Sequence, residues 1–167
     1  QYPGPAAVRY PRGTGPGATI TPTMSELPIG KSQALREGKR TVILAFGSMV
    51  ETARQTAYNL NATLIDMRFI KPLDEEAVIR VANHHSLIVT VEENAIMGGA
   101  GSAINEVLAR EGITLPILNL GIPDDFIEHG KQSEMLEACS LTTTGIQESI
   151  ETRLQKLESQ RSTKNVS

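Results

Sequence analysis

Between residues 41 and 120, short apolar runs alternate with stretches of helical periodicity. TVILAF (41–46) and SLIVTV (86–91) are apolar with hardly a break, the pattern of strands buried on both faces. ATLIDM (62–67) and LPILNL (115–120) read as two further strands. Between the runs the period changes to that of a helix. Residues 49–60 place Val50, Ala53, Ala57 and Leu60 on one face. Residues 73–85 place Leu73, Ala77, Val78 and Val81 inward, with Asp74, Glu75 and Glu76 in a first turn that favours negative charge. Residues 101–111 form a helix on Ile104, Val107 and Leu108. Two helices close the pattern, 132–139 and 144–158; the second uses Ile146, Ile150, Leu154 and Leu157, with Thr144 and Gln147 spaced as a capping box. Ahead of the first run, SQALREGKRTVILAF (32–46) reads as a hairpin turning at Glu37-Gly38-Lys39.

Strand and helix in alternation imply crossover connections and a parallel sheet. The expectation is an α/β fold in three layers, αβα. Its mostly parallel sheet has five strands, including one antiparallel edge strand from the hairpin, and helices cover both faces.

The ends read differently. AVRYPR (7–12) is strand-like but isolated, and GTGPGATITPTMSELP (13–28) has the Gly, Pro and Thr content of a linker. Residues 1–12 are therefore expected to close the sheet of a preceding domain. Residues 29–158 should form the domain proper, with 159–167 a frayed polar tail. A start at Gln1 without a charged-then-apolar signal segment leads to the expectation that this is the interior of a longer protein.

Composition narrows the classes. With 167 residues and 40% hydrophobic side chains the chain can bury a core. A net charge of −3 offers no concentrated basic face for nucleic acid or an anionic membrane. No apolar run approaches the roughly 18 residues of a membrane helix. The single cysteine, Cys139, excludes an internal disulfide and fits a reducing compartment.

The stretch VEENAIMGGAGSAINEVL (91–108) is the first candidate for chemistry, because glycines lead from a strand into a helix. Gly99 and Gly101 supply G-x-G, but Ile104 stands where a dinucleotide loop needs its third glycine. With the strand ending near Val91, the tight turn is also missing, and no Gly-Lys-Ser/Thr of a P-loop occurs. Gly98, Gly99 and Gly101 are better read as allowing close approach at a helix start, whose N–H groups can still attract an anion. Glu92 and Glu93 follow a strand end, where open α/β sheets place ligands, but adjacent strand residues face opposite ways. Structural hydrogen bonding is favoured over shared acid–base work. His84 and His85 close a helix and lack a metal-ligand spacing to other His or Cys. Cys139 reads as a small core residue, Asp124 and Asp125 as solvated turn acids, and His129 as a structural loop residue. Arg9 and Arg12 sit in AVRYPRG beside the glycine linker, where a guanidinium fork suits either a phosphate or an interdomain salt bridge.

Taken together, GPAAVRYPRG, LPIGKSQALREG, ATLIDMRFIKPLD, VTVEENAIMGGAGSAINEVL and ILNLGIPDDFIEHG resemble the C-terminal part of the 1-deoxy-D-xylulose-5-phosphate synthase family. These are thiamine-diphosphate-dependent transferases of the transketolase superfamily. The resemblance runs from about Gly4 to Leu157; DMRFIKPLD is shared more widely with transketolase-like C-terminal domains. It implies a cytoplasmic homodimer that condenses pyruvate with glyceraldehyde 3-phosphate, losing carbon dioxide, toward isoprenoid, thiamine and pyridoxal synthesis. It also implies three α/β domains, of which this chain holds the third and the closing strand of the second. Thiamine diphosphate and Mg²⁺ belong to the complete enzyme. The metal and diphosphate motif beginning Gly-Asp-Gly does not occur here, and the glutamate that activates the cofactor lies upstream in such proteins. The implied roles are therefore no catalytic, cofactor-binding or metal residue in this chain, fold and dimer support from the domain, and substrate-phosphate binding by Arg12. Partners would be the N-terminal domains, in the same or a separate chain. Competing readings are a noncatalytic interaction module, an independent nucleotide-binding protein, and the C-terminal domain of a transketolase or a 2-oxoacid dehydrogenase β chain.

Overall fold

A computed structural model describes residues 2–10, 15, 17, 22–23 and 25–164. Five strands and five helices follow in order: β1 Gln33–Arg36, β2 Thr41–Ala45, α1 Met49–Asn59, β3 Thr63–Asp66, α2 Glu75–Ala82, β4 Leu87–Ala95, α3 Ala100–Arg110, β5 Ile117–Ile122, α4 Gln132–Ala138 and α5 Thr143–Lys164. They form one sheet of order β1-β3-β2-β4-β5. All pairs are parallel except β1 with β3. The expected α/β architecture with one antiparallel edge strand is present.

The apolar runs make this sheet because their alternate residues serve two cores. Val42, Leu44 and Ile88 point to one face and are capped by Val78 and Val81 of α2 and Ile104 and Leu108 of α3. Ile43, Ala45, Leu87, Val89 and Val91 point to the other, against Met49 and Ala53 of α1 and Ile146 and Ile150 of α5. β2 is buried throughout, as a central strand must be. Each fully buried Leu or Ile contributes about 1.5–3 kcal/mol, so these two layers carry the fold.

The hairpin expectation fails in one respect. β1 lies antiparallel at the edge, but its partner is β3, not β2. Both edges of β2 are occupied by parallel strands, β3 and β4. The turn at 37–40 instead crosses the start of β3: Lys39 N donates to Asn61 O at 2.8 Å and Gly38 N to Thr63 Oγ1 at 3.0 Å. The polar, half-exposed β1 suits the edge position.

Several boundaries differ from the expectation, among them α2, Glu75–Ala82 rather than 73–85, and β5, Ile117–Ile122 rather than 115–120. β4 continues past Val91 to Ala95, because β5 resumes pairing at Ala95–Ile122 after an irregularity. The helix expected at 144–158 runs to Lys164, so residues 159–164 are helical rather than a frayed tail. Glu158, Gln160, Arg161 and Lys164 favour its continuation beyond the last core contact, Leu157, while the Ser159, Ser162 and Thr163 hydroxyls donate to carbonyls one turn earlier. Its start is capped by Thr142, whose Oγ1 accepts from Gly145 N at 3.2 Å, and not by a Thr144–Gln147 box; Gln147 instead donates to Glu151. Residues 2–10 form no strand here, and Val8 and Tyr10 are exposed.

Candidate functional site

The carboxyl end of the sheet gathers most of the polar groups singled out in the sequence, and β4 builds the site. Between its pairs Val91–Leu120 and Ala95–Ile122, residues 92–94 stand opposite Gly121 alone. Glu92 and Glu93, neighbours on this strand, send their side chains to opposite sides of the sheet.

Glu92 turns toward α3 and is only 4% exposed. Its carboxylate accepts from Ala100 N at 2.7 Å and Gly101 N at 2.8 Å. An internal anion thus occupies the start of α3, where free N–H groups and the helix dipole attract negative charge. The glycines make room for it. A Cβ on Gly99 would lie 2.3 Å from Ala95 O and 2.6 Å from both Glu92 carboxylate oxygens. One on Gly101 would lie 2.6 Å from Thr90 Oγ1. The glycine stretch is a close-packed helix entry, and the N–H groups at Ala100 and Gly101 already hold a carboxylate.

Glu93 faces the other way. Its carboxylate accepts from Ser48 Oγ at 2.6 Å and from Gln132 Nε2 at 2.9 Å, which ties the end of β4 to the starts of α1 and α4. Its main-chain carbonyl accepts from Arg9 Nη2 at 3.0 Å. Neither partner of the carboxylate stood out in the sequence. Ser48 precedes a helix and looks like an N-cap, yet makes no cap hydrogen bond; Gln132 carries no local signal at all. Arg12 lies outside the described residues.

The other candidates do not join this cluster. His84 Nδ1 lies 2.7 Å from Arg80 O. His85 Nδ1 lies 2.9 Å from Val81 O and its Nε2 2.8 Å from Thr63 Oγ1. A carbonyl only accepts, so Nδ1 donates in both rings. Cys139 is half-buried against the α1–α5 core. Asp124, Asp125 and His129 are exposed, and Asp125 Oδ1 accepts from Phe126 N at 2.8 Å. Among the described residues no three His, Cys, Asp or Glu side chains are grouped to hold a metal.

An open groove of about 770 Å³ runs along α2 and α3 and is lined by charged groups. Four of those charges are paired: Lys31 with Glu76 at 2.6 Å and Arg110 with Glu75 at 2.5 Å. Asp74 closes one end as the N-cap of α2. Burial alone would push its carboxyl up, but hydrogen bonds from Ser32 N, Ser32 Oγ and Ala77 N outweigh that and hold it below the ordinary carboxylate value.

Comparison with known proteins fits this geometry. Residues 30–146 match the family model described as "Transketolase, C-terminal domain". The chain is 56% identical over 156 residues to a 1-deoxy-D-xylulose-5-phosphate synthase of Alcanivorax borkumensis, covering 93% of this chain and 24% of that protein. It is 52% identical over 156 residues to the synthase of Pseudomonas entomophila, covering 93% and 25%. The chain therefore spans about a quarter of the length of these relatives. Among solved structures it is similar to a split-gene transketolase described as an inactive beta4 tetramer. There the TM-score is 0.69 at 31% identity, over 81% of this chain and 45% of that one. A transketolase from Campylobacter jejuni shares the fold at a TM-score of 0.56 and 16% identity, over 74% of this chain and 18% of that one. No helix among the described residues is long and apolar enough to cross a membrane.

Proposed function

The chain belongs to the transketolase C-terminal domain family, and from that premise we propose that it is the C-terminal part of a 1-deoxy-D-xylulose-5-phosphate synthase. Such an enzyme condenses pyruvate and glyceraldehyde 3-phosphate, with loss of carbon dioxide, to 1-deoxy-D-xylulose 5-phosphate. The observation that carries this reading is identity above one half over 93% of the chain to a protein of that name.

Within that enzyme the domain supports the fold and a homodimer and contributes one substrate contact. The residues described here do not suit thiamine diphosphate or its Mg²⁺. The start of α3, the site a diphosphate would favour, is filled by Glu92, and no grouped metal donors are present among the described residues. Those groups belong to the upstream domains, so the separate chain is inactive. The contact is Arg12, whose guanidinium fork matches a phosphate. In the complete enzyme, Arg12→Ala weakens use of glyceraldehyde 3-phosphate roughly 10- to 150-fold, the loss of one charge-assisted contact of about 1.5–3 kcal/mol. Arg12→Lys recovers part of it, and the KM for pyruvate, which has no phosphate, stays near the parent value. Steady-state kinetics with each substrate varied in turn checks this. An equal loss for both substrates would assign Arg12 to the domain junction instead. Steady carbon dioxide release from pyruvate by the purified chain alone, supplied with thiamine diphosphate and magnesium, would overturn the division of labour.

A further inference from the structure

We propose that the carboxyl end of the sheet is the face on which two copies of this chain pair about a two-fold axis. The inference deepens the homodimer of the proposed enzyme, on which it rests, by naming the surface of this domain that serves it.

Strands β2 to β5 are parallel, so the loops that follow β3, β4 and β5 leave from one end of the sheet. Each presents a large apolar side chain to solvent: Ile70 at 49%, Met97 at 71% and Phe126 at 101% exposure. From residue 31 onward, the only other large exposed apolar side chain among the described residues is Tyr58, whose ring lies 6.0 Å from the Arg36 guanidinium. The N-terminal arm joins this end through Arg9 and Glu93 O and brings the exposed Val8 and Tyr10 with it. Apolar exposure gathered on one face marks an interaction surface. Charge identifies the partner. The 67–72 loop carries Arg68 and Lys71 and no acid, whereas the 123–131 loop carries Asp124, Asp125 and Glu128 against one lysine, Lys131. Lys71 and those three acids make no ion pair among the described residues. In the sheet, β3 and β5 lie on either side of β2 and β4. A half-turn about an axis between β2 and β4 therefore lays the cationic loop of one copy over the acidic loop of the other, with Ile70 opposite Phe126. Each contact then occurs twice, as a two-fold interface requires. A sheet end about 19 Å wide, in three layers about 30 Å deep, offers on the order of 600 Å². That is somewhat under the roughly 800 Å² per partner of a standard interface, which fits a dimer of modest strength.

The test is the association state of this chain, followed by sedimentation equilibrium from micromolar to millimolar concentrations. A monomer–dimer equilibrium is expected. Phe126→Asp should raise its Kd about tenfold or more, because aromatic anchors carry much of an interface's energy, and should leave the Tm unchanged because the ring is fully exposed. Lys71→Glu alone, or Asp124→Lys with Glu128→Lys, should each raise the Kd roughly three- to tenfold through like-charge repulsion. All three changes together should return it near the parent value. Lys156→Glu should leave it unchanged, since that part of α5 lies beside Glu158, which pairs with Arg40 ahead of β2 at the opposite end of the sheet. A dimer indifferent to Phe126→Asp, or charge reversals that the triple exchange does not undo, overturns the proposal. A chain that stays monomeric also overturns it, as does one that grows past dimers, because a head-to-tail contact does not close on itself. The complete enzyme separates this surface from the reading beneath it. A dimeric enzyme beside a monomeric chain removes this surface alone, and a monomeric enzyme removes the homodimer reading as well.

Discussion

Glu92 turns inward and gives both carboxylate oxygens to main-chain N–H groups at the start of α3. Glu93, one residue on, turns outward to two neutral side chains and offers its carbonyl to the arm. The same side chain, on the same strand, is structural in one place and a junction in the next. What separates them is the pleat, which sends neighbours to opposite faces, and the supply of donors on each face. A buried carboxylate facing unsatisfied N–H groups has no alternative partner in water, while a half-exposed one facing hydroxyl and amide groups does.

The contrast is broken most severely at Glu92. Glu92→Ala leaves two buried N–H groups at the α3 start unpaired, a loss of about 3 kcal/mol or more. Glu92→Gln keeps the shape and one acceptor, and should lose roughly half of that. Urea unfolding of the chain measures both; a change within 0.5 kcal/mol, the ordinary range of a surface substitution, would mean that water or another group serves those N–H groups equally well.

A middle-sized effect is expected at Asp74, which also caps a helix with a carboxylate but from the adjoining position. Asp74→Ala should cost about 1–2 kcal/mol. The folded pKa is lowered, so the folded state binds fewer protons than the unfolded one. Its contribution is complete above the ordinary carboxylate pKa, near 4, and is lost as pH falls through the lowered folded value. The stability difference between the parent and the Asp74→Ala chain should therefore shrink on acidification below about pH 4. A difference that stays constant down to full acid unfolding would show that the carboxylate charge is not what Ser32 and Ala77 recognise.

The smallest effect belongs to Glu93→Gln. Ser48 and Gln132 are neutral and can be satisfied by an amide, so thermal unfolding should report a stability within about 0.5 kcal/mol of the parent. A loss as large as that of Glu92→Ala would erase the distinction between the two neighbours.

The sheet was readable in advance because each strand carries its own signature. TVILAF needs no partner to announce that it is buried on both faces, and the helical faces of Val78 and Val81 or Ile104 and Leu108 follow from spacing alone. Asp74 reads in the sequence as a first-turn acid of a helix beginning at Leu73, and the structure makes it the N-cap of a helix that begins at Glu75. The pairing of β1 was not readable, since the short turn at 37–40 favours a hairpin locally while β2 already has both neighbours. The continuation of β4 through two glutamates and an asparagine was hidden for a similar reason, because polar residues read as a loop until β5 supplies the ladder.

The sequence by itself determined the α/β class, the two-faced core, the broken nucleotide motif and, through its resemblance, the family. Those properties are local or periodic, written in residues close enough to be read together. Only the tertiary structure decided that Glu92 fills the α3 start, that Ser48 and Gln132 converge on Glu93, and that Arg9 reaches the same residue from 84 positions away. Such contacts depend on how far chain closure brings distant segments, and side chains of ordinary composition give no sign of that until the sheet has ordered them.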